Sequence, residues 1–151
     1  MSGEEKITRK LQTLGKFVTY LNSRKNTSKE DLEENYELKS AIERNFQLAI
    51  EAILDIGEII IASEGLERPE NYRDVILLLG KYKILPTKFA QNLSQAASFR
   101  NILVHLYDEV KIDFLCEFLK ERLGDFKLFE QYIAQYVEKK NSSKNPSHNP
   151  S

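Results

Sequence analysis

The sequence has few of the residues that cross-link a chain, and no stretch that could span a membrane. Its 151 residues include one cysteine, Cys116, so an intrachain disulfide and a disulfide-stapled secreted domain are excluded. The longest apolar stretch, AILDIGEIIIA, is interrupted by Asp55 and Glu58 and is shorter than the ~20 residues of a membrane span. The start of the chain, MSGEEKITRK, has no apolar signal-peptide core. We expect a cytoplasmic protein with no membrane partner.

Histidines and phosphate-binding glycine loops are also scarce. The two histidines are His105 and His148, and no His/Cys cluster has metal-ligand spacing. The six glycines lie too far apart to form a loop that cradles phosphates. We therefore expect neither a metal nor a cofactor. Cys116 lies among Phe114, Leu115 and Phe118, which predicts a core position for it.

Helical periodicity is present almost throughout, and no stretch alternates as a half-buried strand would. Apolar residues at three- and four-residue spacing predict a first helix (Ile7, Leu11, Leu14, Val18, Leu21). A long second helix is predicted from a cap at Ser28 and Asp31 to about Ser63, with Gly65 as its C-terminal cap.

Three further helices complete the prediction. They comprise residues 71–80, a fourth helix with Pro86 in its first turn, and a fifth capped by Asp113 that Gly124 bends or breaks. The tail, KKNSSKNPSHNPS, has almost nothing to bury. The sequence thus predicts an all-α up-and-down bundle of four to five helices over residues 1–140, and a disordered polar tail over residues 141–151.

The second predicted helix is apolar nearly all round, which is typical of a central helix. Its polar residues fall on one narrow line (Arg44, Gln47, Glu51, Asp55, Glu58). This line is either the one solvent-facing edge of the helix or the wall of a cleft that supports a site. In the second case Glu51 and Asp55 are the candidates to support an arginine on the facing helix, Arg100.

Charge is nearly balanced overall, with 22 basic and 23 acidic residues, which argues against a histone-like partner. Locally it is uneven, because residues 1–29 contain seven basic and two acidic residues, and residues 30–70 contain three basic and twelve acidic residues. Residues 71–108 are again basic, with five bases and two acids. A phosphate-bearing ligand is therefore expected near the first and fourth helices rather than the second.

The candidate site is the segment SFRNILVHLYDEV, residues 98–110. On a helix with Arg100 at 0°, Asn101 falls at about 100°, His105 at about 140° and Tyr107 at about 340°. The opposite arc, from about 200° to about 300°, is occupied by apolar residues (Phe99, Ile102, Leu103, Leu106). One face is therefore predicted to be core, and the other presents a guanidinium, an amide, an imidazole and a phenol. An ordinary exposed helix face would have the same spacing.

These groups suit metal-independent cleavage of a phosphodiester in RNA, in which the ribose 2′-OH supplies the nucleophile. His105 can move a proton at neutral pH, and Arg100 can stabilise charge on the phosphorus. One histidine does not easily serve as base and acid on opposite sides of one phosphate. Two copies of the chain facing each other across a two-fold axis would supply both, which favours a homodimer.

The stretch RNILVHLY resembles the R-N-x-x-x-H-x-Y form of the R-x4-6-H motif of the HEPN superfamily, specifically of HepT-like toxins. The likeness extends over roughly residues 5–140, including IERNFQLAIEAILDIGEIII, PENYRDVILLLGKYKILP and DFLCEFLKERLGDFKLFEQYI. It implies a dimeric all-α bundle and a metal-independent ribonuclease, with Arg100 and His105 catalytic and Asn101 supporting. It also implies an antitoxin partner, a minimal nucleotidyltransferase of the MNT type, that transfers AMP to Tyr107.

A second interpretation remains open at this point. The chain could be a HEPN scaffold that binds a nucleotide or a partner through the same motif without catalysis. Its net charge of −1 fits a weak general affinity for RNA.

Overall fold

The fold is formed by helices alone within the part of the chain that the structure describes. The computed structural model describes residues 2–103 and 108–144, and only the backbone of residues 101, 102, 108, 109 and 144. Its elements are α1 (Gly3–Ser23), α2 (Lys29–Glu34), α3 (Tyr36–Glu64), α4 (Tyr72–Lys81), α5 (Thr87–Leu103), α6 (Asp108–Glu117), a π-helical turn (Phe118–Arg122) and α7 (Leu123–Lys144). No strand occurs in these ranges, which confirms the all-α prediction.

The predicted second helix is two helices, because Asn35 interrupts it. The Asn35 backbone is extended, with φ −121° and ψ 94°, and its Oδ1 accepts a hydrogen bond from the Leu38 N–H at 3.0 Å. Its own N–H donates to the Asp31 carbonyl, so this one residue closes α2 and caps α3. Asparagine favours such positions because its side chain competes with helical backbone bonding. The prediction of one uninterrupted helix was wrong here.

The start of α2 and the end of α3, which are the two ends of the predicted second helix, have the caps that the sequence predicts. Ser28 and Asp31 form a reciprocal capping box at the start of α2. Gly65 ends α3 in the left-handed region with φ 64°, and the Leu66 N–H reaches back to the Ile61 carbonyl at 3.0 Å. Glycine adopts this backbone conformation without steric cost.

The predicted fifth helix begins and bends at other residues. Asp113 lies inside α6 and pairs with Lys29 at 3.3 Å, so it is not a cap. The irregularity is the π-helical turn, which precedes Gly124, and Gly124 lies inside α7. α7 continues to Lys144, four residues into the segment expected to be a disordered tail. Residues 145–151 lie outside the described residues.

Helix α3 is the central element of the core, as its apolar circumference predicted. It packs against α1, α4, α5 and α6. Phe46 of α3 is fully buried, with its ring centroid 4.7 Å from that of Phe118 and 5.3 Å from that of Phe114. Phe114 in turn contacts Phe99 of α5 at 4.6 Å. This chain of rings anchors the helix that bears the candidate motif. Cys116 is partly buried against the core.

Two glycines allow the helices around α3 to approach closely. A Cβ atom on Gly57 of α3 would lie 2.5 Å from Cγ1 of Val75 on α4. A Cβ atom on Gly80 of α4 would lie 2.6 Å from Cβ of Ala90 on α5. Real Cβ atoms do not come this close, so a side chain at either position would push α4 away from a neighbour.

Candidate functional site

Arg100 lies near the end of the described part of α5 and points toward α3. Its Nη2 donates a hydrogen bond to Oε1 of Glu51 at 3.0 Å, and the two side chains are 25% and 39% exposed. Glu51 belongs to the polar line of α3, which therefore contributes to a contact between helices rather than only to a solvent-facing edge. The guanidinium is held in place yet remains reachable from solvent.

A third helix supports the same guanidinium. Tyr72, the first residue of α4, lies with its ring centroid 5.0 Å from the Arg100 guanidinium carbon, a cation–π distance. Tyr72 is placed there because it is the first residue of α4. The preceding residue, Asn71, caps this helix: its side chain accepts a hydrogen bond from the Asp74 N–H. Elements α3, α4 and α5 thus converge on Arg100.

The electrostatic surroundings keep Arg100 charged. The hydrogen bond to Glu51 raises the pKa of Arg100 above its usual value, and partial burial opposes that rise without cancelling it. A permanently charged, oriented guanidinium can bind one edge of a phosphate through its remaining N–H donors. Anion binding is therefore the chemistry that the described part of this site supports.

The opposite face of α5 holds the site against the core. Ala96, Ala97 and Leu103 are buried, and Phe99 packs on Phe114. This agrees with the helical wheel of the sequence, which put Phe99 and Leu103 on the core side and Arg100 on the other. Because Phe99 is anchored, the rotation of α5 is fixed at the residue next to Arg100.

The structure describes the predicted site residues unequally. The backbone of Asn101 continues α5 directly after Arg100, and its side chain lies outside the described part. His105 and Tyr107 fall in the undescribed residues 104–107. The roles assigned to these four residues stay predictions.

The two acidic residues considered as supports for Arg100 have different partners. Glu51 bonds to Arg100, as the hypothesis required, whereas Asp55 pairs with Lys10 of α1 at 3.0 Å. Asp55 lies one helical turn further along α3, on the side where α1 packs. The sequence reasoning missed Tyr72, because nothing in a one-dimensional pattern shows which aromatic residue a distant arginine will meet.

Two negative findings apply to the described residues. No group of three or more His, Cys, Asp or Glu side chains within residues 2–103 and 108–144 lies close enough to hold a metal ion. None of the helices in this part of the chain combines the length and apolar composition needed to cross a bilayer.

Solved structures of other proteins share this fold. One is a chain of a toxin–antitoxin crystal structure with AMP-PNP, with a TM-score of 0.77, 24% identity, and coverage of 85% of this chain and 97% of that one. Another belongs to the tri-AMPylated Shewanella oneidensis HEPN toxin in complex with its MNT antitoxin, with a TM-score of 0.77, 24% identity, and coverage of 89% and 99%. The fold is that of all-helical HEPN toxins.

The family is shown by sequence. The family model described as "Ribonuclease HepT-like" matches residues 7–133, and the chain belongs to this family. The tRNA nuclease HepT of Aphanizomenon flos-aquae (strain 2012/KM1/D3) is 29% identical over 104 residues, which cover 69% of this chain and 71% of that protein. The mRNA nuclease HepT of Shewanella oneidensis is 29% identical over 96 residues, which cover 64% and 72%.

Proposed function

We propose that this chain is the toxin of a HEPN/MNT toxin–antitoxin pair and a metal-independent endoribonuclease. The observation that carries the proposal is the RNILVHLY motif within a family match over residues 7–133. The geometry of Arg100 supports it, because three helices hold one partly exposed cation where the motif begins. The relatives named as tRNA and mRNA nucleases support RNA as the substrate.

In the proposed reaction Arg100 binds the scissile phosphate and stabilises the charge that builds up on its oxygens. His105 removes the proton of the ribose 2′-OH, the 2′-oxygen bonds to phosphorus, and the bond from phosphorus to the 5′-oxygen breaks. The leaving 5′-oxygen takes a proton from His105 of the partner subunit. Asn101 supports the site by orienting the imidazole or a phosphate oxygen without adding charge.

The proposed homodimer follows from this proton balance. A single imidazole would have to act on both sides of one phosphorus atom, whereas two imidazoles across a two-fold axis act on opposite sides. The motif begins at Arg100, near the end of the described part of α5, and we propose that two copies present it to a shared cleft.

The proposed partner is an MNT-type nucleotidyltransferase that transfers AMP to Tyr107. The Shewanella oneidensis toxin with this fold is tri-AMPylated and in complex with its MNT antitoxin, which supports the same neutralisation here. On the helical wheel Tyr107 lies on nearly the same line as Arg100. A phosphate added there would pair with the guanidinium and repel RNA.

The test of the catalytic proposal is cleavage of cellular RNA by the purified chain in the presence of EDTA. We expect cleavage by the unmodified protein, none by His105→Ala, and full cleavage by His148→Ala, which removes the other histidine. Equal cleavage by the chain and its His105→Ala variant would disprove the assignment.

The test of neutralisation is intact mass after co-expression with the nucleotidyltransferase. We expect increments of whole AMP groups on the chain, loss of RNA cleavage, and neither effect in the Tyr107→Phe variant. Modification of the Tyr107→Phe variant to the same extent would show that the acceptor is another residue.

One observation favours the non-catalytic scaffold as a second candidate. Arg100 is already bonded to Glu51 and stacked on Tyr72, as an arginine with a purely structural role would be. Expression in a bacterial host separates the two. A toxin slows growth and its Arg100→Ala variant does not, whereas a scaffold is harmless in both forms.

A further inference from the structure

Basic residues are concentrated on one side of the first helix, with Glu5 at the N-terminal edge of that side. Between Glu5 and Glu30 the chain has seven basic residues and no acidic residue. With Lys6 at 0°, Arg9, Lys10 and Lys16 lie at about 300°, 40° and 280°, on one side of α1. We call these four residues the α1 cationic face. It extends about 15 Å along the helix, and the buried residues of α1 occupy another side (Ile7, Leu14, Val18, Leu21).

Three of the four cations of this face are available for a ligand. Lys6, Arg9 and Lys16 are exposed and form no ion pair within the described residues. Lys6, Arg9, Lys10 and Thr13 line a shallow pocket of about 230 Å³ closed by Ile59 of α3. Lys10, at the edge of the face, is the member that pairs with Asp55.

Lys10 links the edge of the face to the polar line of α3 on which Arg100 also bonds. Lys10 and Arg100 reach the polar line of α3 from two sides and bond to Asp55 and Glu51. These two carboxylates lie one helical turn apart, about 6 Å along the axis. Each carboxylate is paired with a cation, so the negative charge between the two cations is locally compensated.

We propose that the α1 cationic face binds the phosphate backbone of single-stranded RNA as it enters or leaves the site at Arg100. This inference rests on the proposed function for the identity of the ligand. Spaced lysine and arginine head groups neutralise successive phosphates and release counterions without reading the base sequence.

A nucleic acid fits this face better than an acidic protein does. Protein interfaces place aromatic and apolar side chains at their centre. The exposed large apolar residues of the described chain all lie on other elements (Tyr36, Tyr72, Tyr82, Val110, Leu128). Phe17, Tyr20 and Ile59 beside the face are partly buried against the core. The exposed groups of the face are therefore mainly charged, which is the composition of a phosphate-binding surface.

The experiment measures binding of a fluorescein-labelled single-stranded RNA oligonucleotide of mixed sequence by anisotropy at several salt concentrations. The full-length chain is used in the His105→Ala background, so that the RNA stays intact. The test variant adds three neutral substitutions to the face (Lys6→Gln, Arg9→Gln, Lys16→Gln). The control removes three exposed lysines elsewhere (Lys88→Gln, Lys120→Gln, Lys139→Gln) and changes the net charge equally.

We expect the face variant to bind the RNA at least about tenfold more weakly than the parent. The slope of log affinity against log salt concentration should become shallower by about 2, because each of the three lost phosphate contacts contributes about 0.7. The control should keep the slope of the parent. Equal losses in both variants would show that only total charge matters and would overturn the inference. So would a face variant that binds RNA normally but has lost the antitoxin, since the face would then be a protein-docking surface.

Failure of this inference is distinguishable from failure of the proposed function. If the unmodified chain cleaves RNA while the face variant keeps its affinity and slope, the inference is wrong and the nuclease stands. If the unmodified chain does not cleave but the face variant loses affinity and slope as expected, the nuclease is wrong and the binding surface stands. Circular dichroism of each variant confirms that these exposed substitutions leave the helices intact.

Discussion

At the scale of single residues, the contact that matters most is the one between Glu51 and Arg100. The proposed reaction assigns no proton transfer to the Glu51 carboxylate, which accepts a hydrogen bond from Arg100 and so orients the guanidinium. An orientation effect differs from a structural one, because it changes turnover far more than stability. This difference can be measured with a substitution that keeps the shape of Glu51.

We predict that Glu51→Gln lowers RNA cleavage about tenfold, equivalent to about 1.4 kcal/mol of transition-state stabilisation. The free energy of unfolding should fall by less than about 1 kcal/mol, because both partners are partly exposed and solvent screens the pair. Glu58→Gln, an exposed carboxylate on the same line of α3, is the control and should cleave normally. A loss of stability without a change in turnover would assign Glu51 a structural role only.

Glu64 offers a residue-scale prediction that is independent of catalysis. It accepts hydrogen bonds from Lys140 at 2.6 Å and from the Tyr136 hydroxyl at 2.5 Å, and these bonds hold the pKa of Glu64 below its usual 4.5. A depressed pKa in the folded state means that the charged form stabilises the fold. This contribution is complete above the unfolded pKa and is lost as pH falls through the folded one.

We therefore predict that Glu64→Gln destabilises the chain at neutral pH, and that the difference from the parent disappears in strong acid. Urea unfolding over a pH series measures it. The control is Glu138→Gln, an exposed carboxylate on the same helix as Lys140, which should change the stability at neutral pH by less than about 0.5 kcal/mol. A Glu64→Gln deficit that persists unchanged in acid would mean that shape, and not charge, is responsible.

At the scale of helices, the position of α4 affects the geometry of the candidate site around Arg100. It contributes Tyr72 to Arg100 from its first residue, and the contact of Gly57 with Val75 fixes its distance from α3. Crowding that contact should displace α4 and, with it, the ring that supports the guanidinium. Packing and site geometry are therefore coupled here.

We predict that Gly57→Ala costs about 1–3 kcal/mol of unfolding free energy, since the new methyl group overpacks a tight contact. Combining it with Val75→Ala should cost less than the sum of the two single changes. Gly124→Ala is the matched control: nothing lies within 4 Å of its added Cβ, and the change should stabilise α7 by about 0.5–1 kcal/mol. An additive double variant would show that the two side chains do not meet.

At the scale of the whole molecule, the proposed reaction makes each site depend on two subunits. We predict that parent chain co-refolded with increasing amounts of His105→Ala chain loses RNA cleavage as the square of the parent fraction, because both histidines of a dimer are required. Subunits that each act alone would lose activity in simple proportion, and that result would contradict a shared site. Mixing after refolding, without subunit exchange, is the control.

The bundle itself was largely predictable from the sequence, and its departures have local causes. Three features depend on residues that are close to one another in the chain: the apolar periodicity of α1, the capping box at Ser28 and the C-terminal cap at Gly65. The break at Asn35 has an equally local cause, yet an asparagine inside an otherwise helical pattern is compatible with both continuation and interruption. Asp113 was mistaken for a cap because an acidic residue that pairs across helices has the same local pattern.

The sequence alone determined the all-helical class, the buried position of α3, and the one-sided placement of Arg100 on α5. These follow from apolar spacing and short-range hydrogen bonding. Only the tertiary structure decided that Glu51 and Tyr72 meet Arg100 while Asp55 meets Lys10. The reason is physical: neighbours on one polar line of α3 acquire different partners according to the helices that pack on either side, and that packing depends on contacts far apart in the chain.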